Sequence, residues 1–362
     1  MTQMLIKAPD DLLALGAQWQ SRDKPLRKGG AGPTDHAALK FSDHTLMVPL
    51  LSKEANDSPY RIEYYDDDRR QAVIFKEEQR LGNVIVPSRP KFYDLTTADG
   101  VPYWKIAALH SHNVLATTVL QNCIRYENKS TSCQFCAIGE SLKQKTTIAR
   151  KKPEQLAEVA EAAVRLDQVE HMVMTTGTPK GDDRGVKVLA ECAQAIKSKV
   201  NLPIQAQCEP PSSNDWITLL HESGADSIGM HLEAVTQSVR EKIMPGKAQV
   251  TVDQYFDAFR HAVKVFGRGQ VSTYILAGLG DTEQDIVNMS EKLAKEGVYP
   301  FIVPFVPLQN TPLAQHPAPS GEMMKRIYQG VSSILKQHQL STDDIKAGCA
   351  KCGACSALKS HE

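Results

Sequence analysis

Residues 114–136 read VLATTVLQNCIRYENKSTSCQFC, an apolar run of strand length followed by three closely spaced cysteines. The run 114–120 is rich in β-branched and other apolar residues, which is typical of a buried strand. Cys123, Cys133 and Cys136 follow it. Three kinds of site use thiols clustered in this way: a structural zinc site, a disulfide, or an iron–sulfur cluster that takes part in chemistry. The choice depends on what the rest of the chain builds around this stretch.

The composition is that of a globular protein. The chain has 362 residues, 41% hydrophobic and 23% charged, with a formal net charge of zero. This length allows one large domain and a smaller one, and the neutral charge gives no reason to expect nucleic acid as a partner. No apolar stretch reaches the ~18 residues of a membrane span, and the first residues are acidic where a secretory signal would be basic. We therefore expect a cytoplasmic protein with no membrane partner, in which clustered thiols are metal ligands or catalysts rather than disulfides.

Six apolar runs of strand length follow one another from residue 114 onward. Amphipathic segments separate them, with helix signals such as Pro153 in a first turn and glycines suited to left-handed caps. Strands that alternate with helices indicate parallel β/α units. This predicts an α/β fold over 111–340, a partial TIM-type (β/α)6 barrel with its site on the loops at the carboxyl ends of the strands. The six runs are 114–120, 171–177, 203–209, 226–234, 270–279 and 299–308.

The segments on either side of the barrel have different patterns. Residues 1–110 contain short strand-like runs without β/α alternation, which predicts a smaller N-terminal domain that is β-rich or α+β. Within it, the stretch RKGGAGPTD at 27–35 lacks the G-x-x-x-x-G-K-[ST] spacing of a phosphate loop, and we expect a linker there. Residues 341–362 are a cysteine-rich tail.

Polar and apolar side chains alternate in two of the predicted strands. Because successive side chains on a strand face opposite ways, the polar residues of each strand share one face. The apolar faces should pack on the helices, so the polar faces point into the barrel. An ordinary closed barrel is filled with branched apolar residues, and a polar interior instead indicates a cavity that holds water or a ligand; satisfied polar groups in a core are the alternative. The polar faces consist of Gln205, Gln207 and Glu209 in one strand and Ser227, Gly229, His231 and Glu233 in the next.

The three cysteines after the first strand would lie over the mouth of this cavity. Three thiolates supply three of the four ligands of a 4Fe–4S cluster and leave one iron open for an exchangeable ligand. Phe135 lies between the last two cysteines and would shield one side of such a cluster. A zinc site would need a fourth ligand nearby. His110 and His112 precede the first strand, and we expect them at its opposite end.

The tail AGCAKCGACSALKSHE is a second candidate metal site. Cys349, Cys352 and Cys355 are separated by two residues each, a strong metal-binding signal. A ferredoxin run would have its next cysteine at the position of Lys359. The tail therefore indicates an iron–sulfur cluster with one open iron or with a ligand from elsewhere. Zinc with His361 as its fourth ligand and free or regulatory thiols are the alternatives.

The cysteine loop, which ends in Cys-x-aromatic-Cys after the first barrel strand, resembles that of the radical S-adenosylmethionine (radical SAM) superfamily. The resemblance extends over about 113–340 and is nearest in style to the biotin and lipoyl synthase branch. MTTGTP resembles the edge whose backbone carbonyls bind the amino group of SAM. QCEPP, MHLEA and the following arginine resemble the strand ends that hold its ribose and carboxylate, and YILAGLGDTEQD resembles the segment that packs on its adenine. The cofactor-binding residues implied by this resemblance are Phe135, Thr176, Gly177, Thr178, Glu209, Glu233, Arg240, Gly278 and Leu279.

Two features of the chain refine this resemblance. Nine residues separate Cys123 from Cys133, where most of the superfamily has three. In addition, VPYWKIAALHSHNVLATTVLQNC and GCAKCGACSAL resemble a radical SAM family of bacterial gene clusters that contain a nitrilase. This narrower resemblance covers nearly the whole chain, and it implies a gene neighbourhood rather than a reaction.

The resemblance implies an enzyme. A 4Fe–4S cluster on Cys123, Cys133 and Cys136 would bind SAM and, on reduction, cleave it to methionine and a 5′-deoxyadenosyl radical that abstracts hydrogen from a small metabolite. It also implies an electron donor such as flavodoxin or ferredoxin, and a second cluster would occupy the tail cysteines. One alternative is a sulfur-inserting enzyme that uses the tail cluster as its donor. The other is a non-enzymatic iron–sulfur or zinc protein, although such a carrier needs no polar cavity.

Overall fold

The computed structural model describes residues 9–20, 36–41, 44–65 and 70–361. Within these residues the chain forms a six-stranded sheet followed by a seven-stranded sheet. The expected linker at 27–35 lies outside the described residues. No helix within the described ranges combines the length and the apolar character that crossing a membrane requires.

The N-terminal domain is β-rich with short helices, as the sequence predicts. Its elements are α1 (Pro9–Leu15), β1 (Gln18–Trp19), β2 (His36–Lys40), β3 (Thr45–Pro49), α2 (Lys53–Asn56), β4 (Tyr60–Tyr64), β5 (Gln71–Lys76) and β6 (Gln79–Ile85). The strand order is β1-β4-β5-β6-β2-β3, in which β1 pairs with β4 in parallel and the other pairs are antiparallel. Leu12, Leu39 and Tyr60 are fully buried in the core on which this sheet packs.

The second sheet is a parallel half-barrel with helices on its outer face. A 3-10 helix (Lys91–Asp94) and α3 (Tyr103–Ile106) lead into it. Its strands are β7 (Ala108–His110), β8 (Val114–Thr118), β9 (His171–Thr175), β10 (Ile204–Gln207), β11 (Ser227–Gly229), β12 (Val271–Ala277) and β13 (Val298–Pro304). The helices between and after them are α4 (Glu140–Lys143), α5 (Pro153–Asp167), α6 (Val186–Lys199), α7 (Asp215–Glu222), α8 (Gln237–Ile243), α9 (Pro245–Ala248), α10 (Val252–Phe266), α11 (Glu283–Lys295) and α12 (Gly321–Gln337).

The strand order β7-β8-β9-β10-β11-β12-β13 follows the chain order. Strands β8 to β13 are all parallel, and β7 is an antiparallel edge. The predicted six-stranded partial TIM-type barrel is therefore confirmed. Its sheet ends at β7 on one side and at β13 on the other, which leaves the half-barrel open between them.

The helices begin and end where the local sequence predicts. In α10, a capping box joins Thr251 and Gln254 at the start, and Gly267 ends the helix with a φ of 98°. Gly224 and Gly297 follow α7 and α11 with φ values of 101° and 85°. Side chains other than glycine rarely adopt this left-handed backbone, so these glycines mark the turns from helix to strand.

The polar strand faces point into the half-barrel, as expected. The Gln205 side chain donates a hydrogen bond to Ser272 Oγ at 3.0 Å, and Gln207 donates to Gln205 Oε1 at 2.7 Å. On the opposite face, Ile204 and Ala206 are fully buried in the apolar core. Hydrogen bonds between side chains thus satisfy part of this polar interior.

The C-terminal tail fills the half-barrel from the amino ends of its strands. It comprises a 3-10 helix (Thr342–Asp344), α13 (Cys349–Cys352) and a last 3-10 helix (Leu358–His361). The Gly348 amide donates to Nδ1 of His171, the first residue of β9, at 3.3 Å. The Cys349 amide donates to Gln205 Oε1 at 3.2 Å. The tail therefore enters at the end of the barrel opposite the first cysteine loop.

Two consecutive tail residues bridge the open side of the half-barrel. Cys355 Sγ lies 3.6 Å from Nε2 of His110, the last residue of β7, and Ser356 donates to the carbonyl oxygen of Ile302 in β13 at 2.6 Å. The neighbouring Ala354 accepts a hydrogen bond from the Met47 amide at 2.7 Å. The tail thus connects the two edge strands of the half-barrel and the N-terminal sheet.

We predict that Gly348→Ala releases the tail, whereas Gly353→Ala is tolerated. Gly348 has φ 117° and ψ −173°, a region open essentially to glycine alone, and a Cβ there would lie 2.2 Å from the Gln205 side chain. Gly353 also has a positive φ, 70°, but a Cβ there meets nothing within 4 Å. The Gly353 change should lower the free energy of unfolding by about 1 kcal/mol, and the Gly348 change by clearly more. Urea unfolding and limited proteolysis of the tail measure this, and equal effects would contradict the proposed packing.

Candidate active site

The loop at 119–152, which joins β8 to α5, carries the first three cysteines at the carboxyl end of the barrel. The segment after β9 holds this loop closely. The Gly177 amide donates to the Leu120 carbonyl oxygen at 2.8 Å, and the Ile124 amide donates to that of Thr178 at 2.9 Å. A Cβ at Gly177 would lie 2.2 Å from the carbonyl oxygen of Asn122. Only glycine permits this approach, which gives the glycine of MTTGTP a physical role in placing the cysteine loop.

The three thiols are half-buried, and none forms a disulfide. The Cys136 amide donates to the Cys133 carbonyl oxygen at 3.1 Å, so these two residues share one turn. Burial raises the pKa of the Cys133 thiol strongly and that of Cys136 to about 11. Cys123 lies close enough to Cys136 to raise the pKa of Cys136 further. Without a metal, the Cys133 and Cys136 thiols are therefore neutral at physiological pH.

The donor set fits an iron–sulfur cluster. Within the described ranges, no three His, Cys, Asp or Glu side chains are arranged to hold a single metal ion. The thiolates of a four-iron cluster each bind a different iron and so need not converge on one point. The Phe135 side chain, which belongs to the cysteine loop, packs on an apolar cluster. This packing supports the expectation that Phe135 shields one side of an iron–sulfur cluster. The buried members of that cluster are Ile243, Leu279 and Phe305.

A buried ion pair attaches the cysteine loop to the barrel. Arg125 Nε and Nη2 both donate to the Glu209 carboxylate at 2.7 Å, with both side chains below 10% exposure. The Thr178 hydroxyl donates to the same carboxylate at 2.8 Å. Burial alone would raise the pKa of Glu209, but Arg125 outweighs it and the pKa is lowered. Arg125 belongs to the insertion between Cys123 and Cys133, and no sequence motif pointed to this role.

A second ion pair lies at the end of β11. Glu233 has a φ of 66°, which is unusual for a residue other than glycine and marks a strained position of the kind found at functional sites. Its Oε1 lies 2.8 Å from Nζ of the buried Lys247. Burial by itself would lower the pKa of Lys247, but the Glu233 carboxylate and the nearby Cys133 raise it. A lysine that stays charged therefore lies beside the Cys133 thiol.

Arg240, which the sequence predicts as a SAM-binding residue, lies in the interior and binds backbone carbonyl groups. Its side chain is fully buried, and its guanidinium donates to the carbonyl oxygens of Leu232 at 2.7 Å and Val250 at 2.9 Å. It also lies 5.2 Å from the centre of the Tyr255 ring. These contacts support the chain around β11, α8 and α10. A direct contact of Arg240 with SAM stays a prediction, and in this structure the guanidinium supports the backbone around the site.

The remaining expected residues lie at the same end of the barrel. The Thr176 hydroxyl donates to the Gly177 carbonyl oxygen at 2.9 Å after β9. After β12, Gly278 has a φ of 103° and its carbonyl oxygen lies 2.8 Å from His316 Nε2, while Leu279 is 3% exposed. Their contacts with SAM stay predictions, on backbone that the fold holds in place.

His231 and Tyr274 lie between the two groups of thiols. His231 Nδ1 accepts a hydrogen bond from the Tyr274 amide at 3.1 Å, and the two rings meet edge-on with centres 4.5 Å apart. Burial lowers the pKa of His231, so the ring is neutral with its proton on Nε2, a buried atom that finds no partner among the described residues. Burial, Cys349, Cys355 and Cys352 all raise the pKa of Tyr274. The tail thiols therefore lie near the Tyr274 hydroxyl inside the same half-barrel.

We predict that Arg125→Met destabilises the protein far more than Arg326→Met. Both arginines form two hydrogen bonds with one carboxylate, and the Arg326–Glu283 pair is the exposed counterpart at 2.6 and 2.8 Å. Loss of Arg125 leaves the Glu209 charge buried and unpaired, which costs about 3–5 kcal/mol of unfolding free energy. Loss of the exposed pair should change little. Urea unfolding of both variants measures this, and equal stabilities would remove the anchoring role of Arg125.

Comparison with known proteins finds a family to which the central part of the chain is similar. Residues 129–293 match the family described as the radical SAM superfamily, a range that contains Cys133 and Cys136 and begins after Cys123. The chain is 26% identical over 156 residues to the bacteriochlorophyllide c C-7(1)-hydroxylase of Chlorobaculum limnaeum, covering 42% of this chain and 39% of that protein. It is 25% identical over 170 residues to the lipoyl synthase of Bacillus subtilis strain 168, covering 46% and 54%. The chain thus spans about half the length, or less, of these relatives.

Among solved structures, the radical SAM methyltransferase from Sphaerobacter thermophilus covers 83% of this chain and 81% of its own, with a TM-score of 0.49 and 14% identity. The matched range 129–293 includes the last two loop cysteines and the strands from β9 to β12. The lipoyl synthase relatives agree with the branch that the cysteine loop resembles. Residues 129–293 are therefore similar to the radical SAM superfamily.

Proposed function

We propose that this protein is a radical SAM enzyme that acts on a small metabolite inside its half-barrel. The observation that carries the proposal is a loop with three thiols at the carboxyl end of the first parallel strand, above a polar interior. Cys123, Cys133 and Cys136 would hold the 4Fe–4S cluster that this domain type implies. With SAM bound, the reduced cluster would supply a 5′-deoxyadenosyl radical that abstracts hydrogen from the substrate.

The residues around the loop would place and shield this centre. Gly177 lets the loop approach β9, and the Arg125–Glu209 pair holds it there. Lys247 carries a buried positive charge next to Cys133, which favours the thiolate form required of a metal ligand. The apolar cluster around Phe135 keeps water away on one side. Exclusion of water matters because a reactive radical would otherwise be quenched before it reaches the substrate.

The charged groups at the end of β11 would bind SAM. The methionine part of SAM carries an ammonium and a carboxylate. The Glu233 carboxylate would bind the ammonium, and the Lys247 ammonium would bind the carboxylate. Backbone carbonyls at Thr176–Thr178 and backbone at Gly278–Leu279 would hold the amino group and the adenine, as the resemblance implies. One electron per cleavage must come from outside the chain, from a donor such as flavodoxin or ferredoxin.

A second candidate reaction is sulfur insertion with the tail site as donor. The observation that favours it is the position of the tail thiols: Cys349 Sγ accepts a hydrogen bond from Gln207, whose side chain points into the same interior that the substrate would enter. In that case the product carries a sulfur atom and the tail site loses sulfide in a single turnover. Anaerobic incubation with SAM, dithionite and a cell metabolite extract, followed by mass spectrometry of consumed and formed compounds, distinguishes the two reactions.

We predict that Cys133→Ala and Cys136→Ala abolish reductive cleavage of SAM, and that Cys123→Ala does the same. Each change removes one of the three cluster ligands. Cys192→Ala is the control, since Cys192 is a fully buried thiol on α6. Iron content and 5′-deoxyadenosine formation are measured on anaerobically reconstituted full-length protein. A Cys123→Ala variant with full iron content and normal 5′-deoxyadenosine formation would show that Cys123 is not a ligand.

We predict that Glu233→Gln and Lys247→Met weaken SAM binding and leave the iron content unchanged. Each variant removes one charged group of the proposed SAM site and should raise the Kd of SAM about 10-fold or more. Lys197→Met is the matched control, because Lys197 forms an ion pair with Asp226 at 2.8 Å on the far side of the barrel wall. Equilibrium dialysis with labelled SAM measures the Kd. Unchanged affinity in both site variants would leave this pair with a structural role only.

A further inference from the structure

We propose that the three tail cysteines and His110 bind a second 4Fe–4S cluster, with His110 Nε2 as its fourth ligand. The site lies at the amino end of the half-barrel, between β7 and the tail. It does not depend on the radical activity proposed above, because none of its ligands belongs to the loop after β8.

The tail folds so that its three thiols gather at one place. The Cys352 amide donates to the Gly348 carbonyl oxygen at 2.9 Å, and the Gly353 amide to that of Cys349 at 2.8 Å, which closes one helical turn. Gly353 then reverses the chain with its left-handed backbone and returns Cys355 to the interior. The C-x2-C-x2-C spacing of the three cysteines is that of three ligands to one cluster in bacterial ferredoxins.

His110 faces this group of thiols from β7. Pairing with β8, in which His110 lies opposite Val114, fixes its backbone at the edge of the sheet. Its Nε2 lies 3.6 Å from Cys355 Sγ, so the ring faces the thiol directly. Each ligand of a four-iron cluster binds its own iron, so the ring and the thiol would move apart from this contact to receive the cluster between them. Imidazole is a suitable ligand for iron.

The other histidines near the tail have different contacts. His361, the fourth ligand considered from the sequence, lies 2.9 Å from Asp10 Oδ1, and its ring packs on Tyr328 with centres 5.5 Å apart. His112 Nδ1 lies 3.0 Å from the Thr45 hydroxyl. His171 Nδ1 accepts the Gly348 amide and so holds the tail backbone instead of a thiol. Among these residues, His110 is the one that contacts a tail cysteine.

The surroundings of the thiols suit a cluster with one neutral ligand. Gln207 Nε2 donates to Cys349 Sγ at 3.2 Å, and hydrogen bonds to cluster sulfur raise the reduction potential. A neutral imidazole in place of a fourth thiolate makes the cluster less negative by one charge and raises the potential further. His110→Cys should therefore keep the cluster and shift its potential to a more negative value.

The test uses full-length protein in which Cys123, Cys133 and Cys136 are all changed to Ala. After anaerobic reconstitution this background should retain about four irons per chain. After reduction, its pulsed EPR spectrum should show a nitrogen coupling that changes on ¹⁵N-histidine labelling and is absent in His110→Cys. His110→Ala should lose most of the iron on gel filtration, and His110→Cys should retain it. His112→Ala and His361→Ala are the matched controls and should retain both the iron and the nitrogen coupling.

Several outcomes would overturn the proposal. A background without iron, or one that binds one zinc instead, would reject the cluster. Loss of the nitrogen coupling in His361→Ala, or its persistence in His110→Ala, would reject His110 as the ligand. Because the background lacks the loop cysteines, its iron content and spectra do not depend on SAM cleavage. A failure to form 5′-deoxyadenosine in the unmodified protein would therefore count against the proposed function alone.

Discussion

The buried ion pair between Arg125 and Glu209 is the interaction on which the site depends. Burying two charges costs several kcal/mol per ion unless the geometry and the hydrogen bonds are complete. Here both guanidinium bonds are 2.7 Å and Thr178 supplies a further donor, so the pair is well satisfied. Such a pair tolerates little displacement. It therefore fixes a long loop, which would otherwise have many conformations, in one position over the barrel, and this position brings the three thiols together.

The half-barrel depends on its tail in a similar way. An open parallel sheet has two unprotected edges, and polar groups exposed at such edges favour unwanted pairing. Contacts of Cys355 with β7 and of Ser356 with β13 cover the gap between them, while Ala354 adds a bond to the N-terminal sheet. Cys355, one of the proposed ligands of a second metal site, is thus also one of the residues that connect the sheets. We expect loss of that metal to loosen the whole amino end of the barrel.

Local patterns in the sequence predicted the fold well, and long-range contacts set the limit for the site. Strand and helix periodicity depends on neighbours within one element, so the six parallel strands and the glycine-ended helices could be predicted. Arg125 pairs with a residue 84 positions away, and His110 meets a tail thiol 245 positions away. A pattern within one element cannot predict contacts between residues so far apart in the sequence. Arg240 shows a further limit of local patterns: a motif predicts that it binds the cofactor, but no motif predicts that its planar guanidinium binds backbone carbonyls in the interior.

The two groups of thiols lie at opposite ends of one interior, and this separates their possible roles. The carboxyl end has the glycine contact, the charged pair at β11 and the strained Glu233, which are features of a site that binds a charged ligand. The amino end has the Gln207 amide, which donates to Cys349 Sγ, and the Tyr274 hydroxyl near its thiols. His231 lies between them as a neutral ring. Its buried Nε2 proton has no hydrogen-bond partner among the described residues. A ligand that entered this space would therefore meet a hydrogen-bond donor midway. The charged groups at the carboxyl end would lie on one side of this donor, and the tail thiols at the amino end on the other.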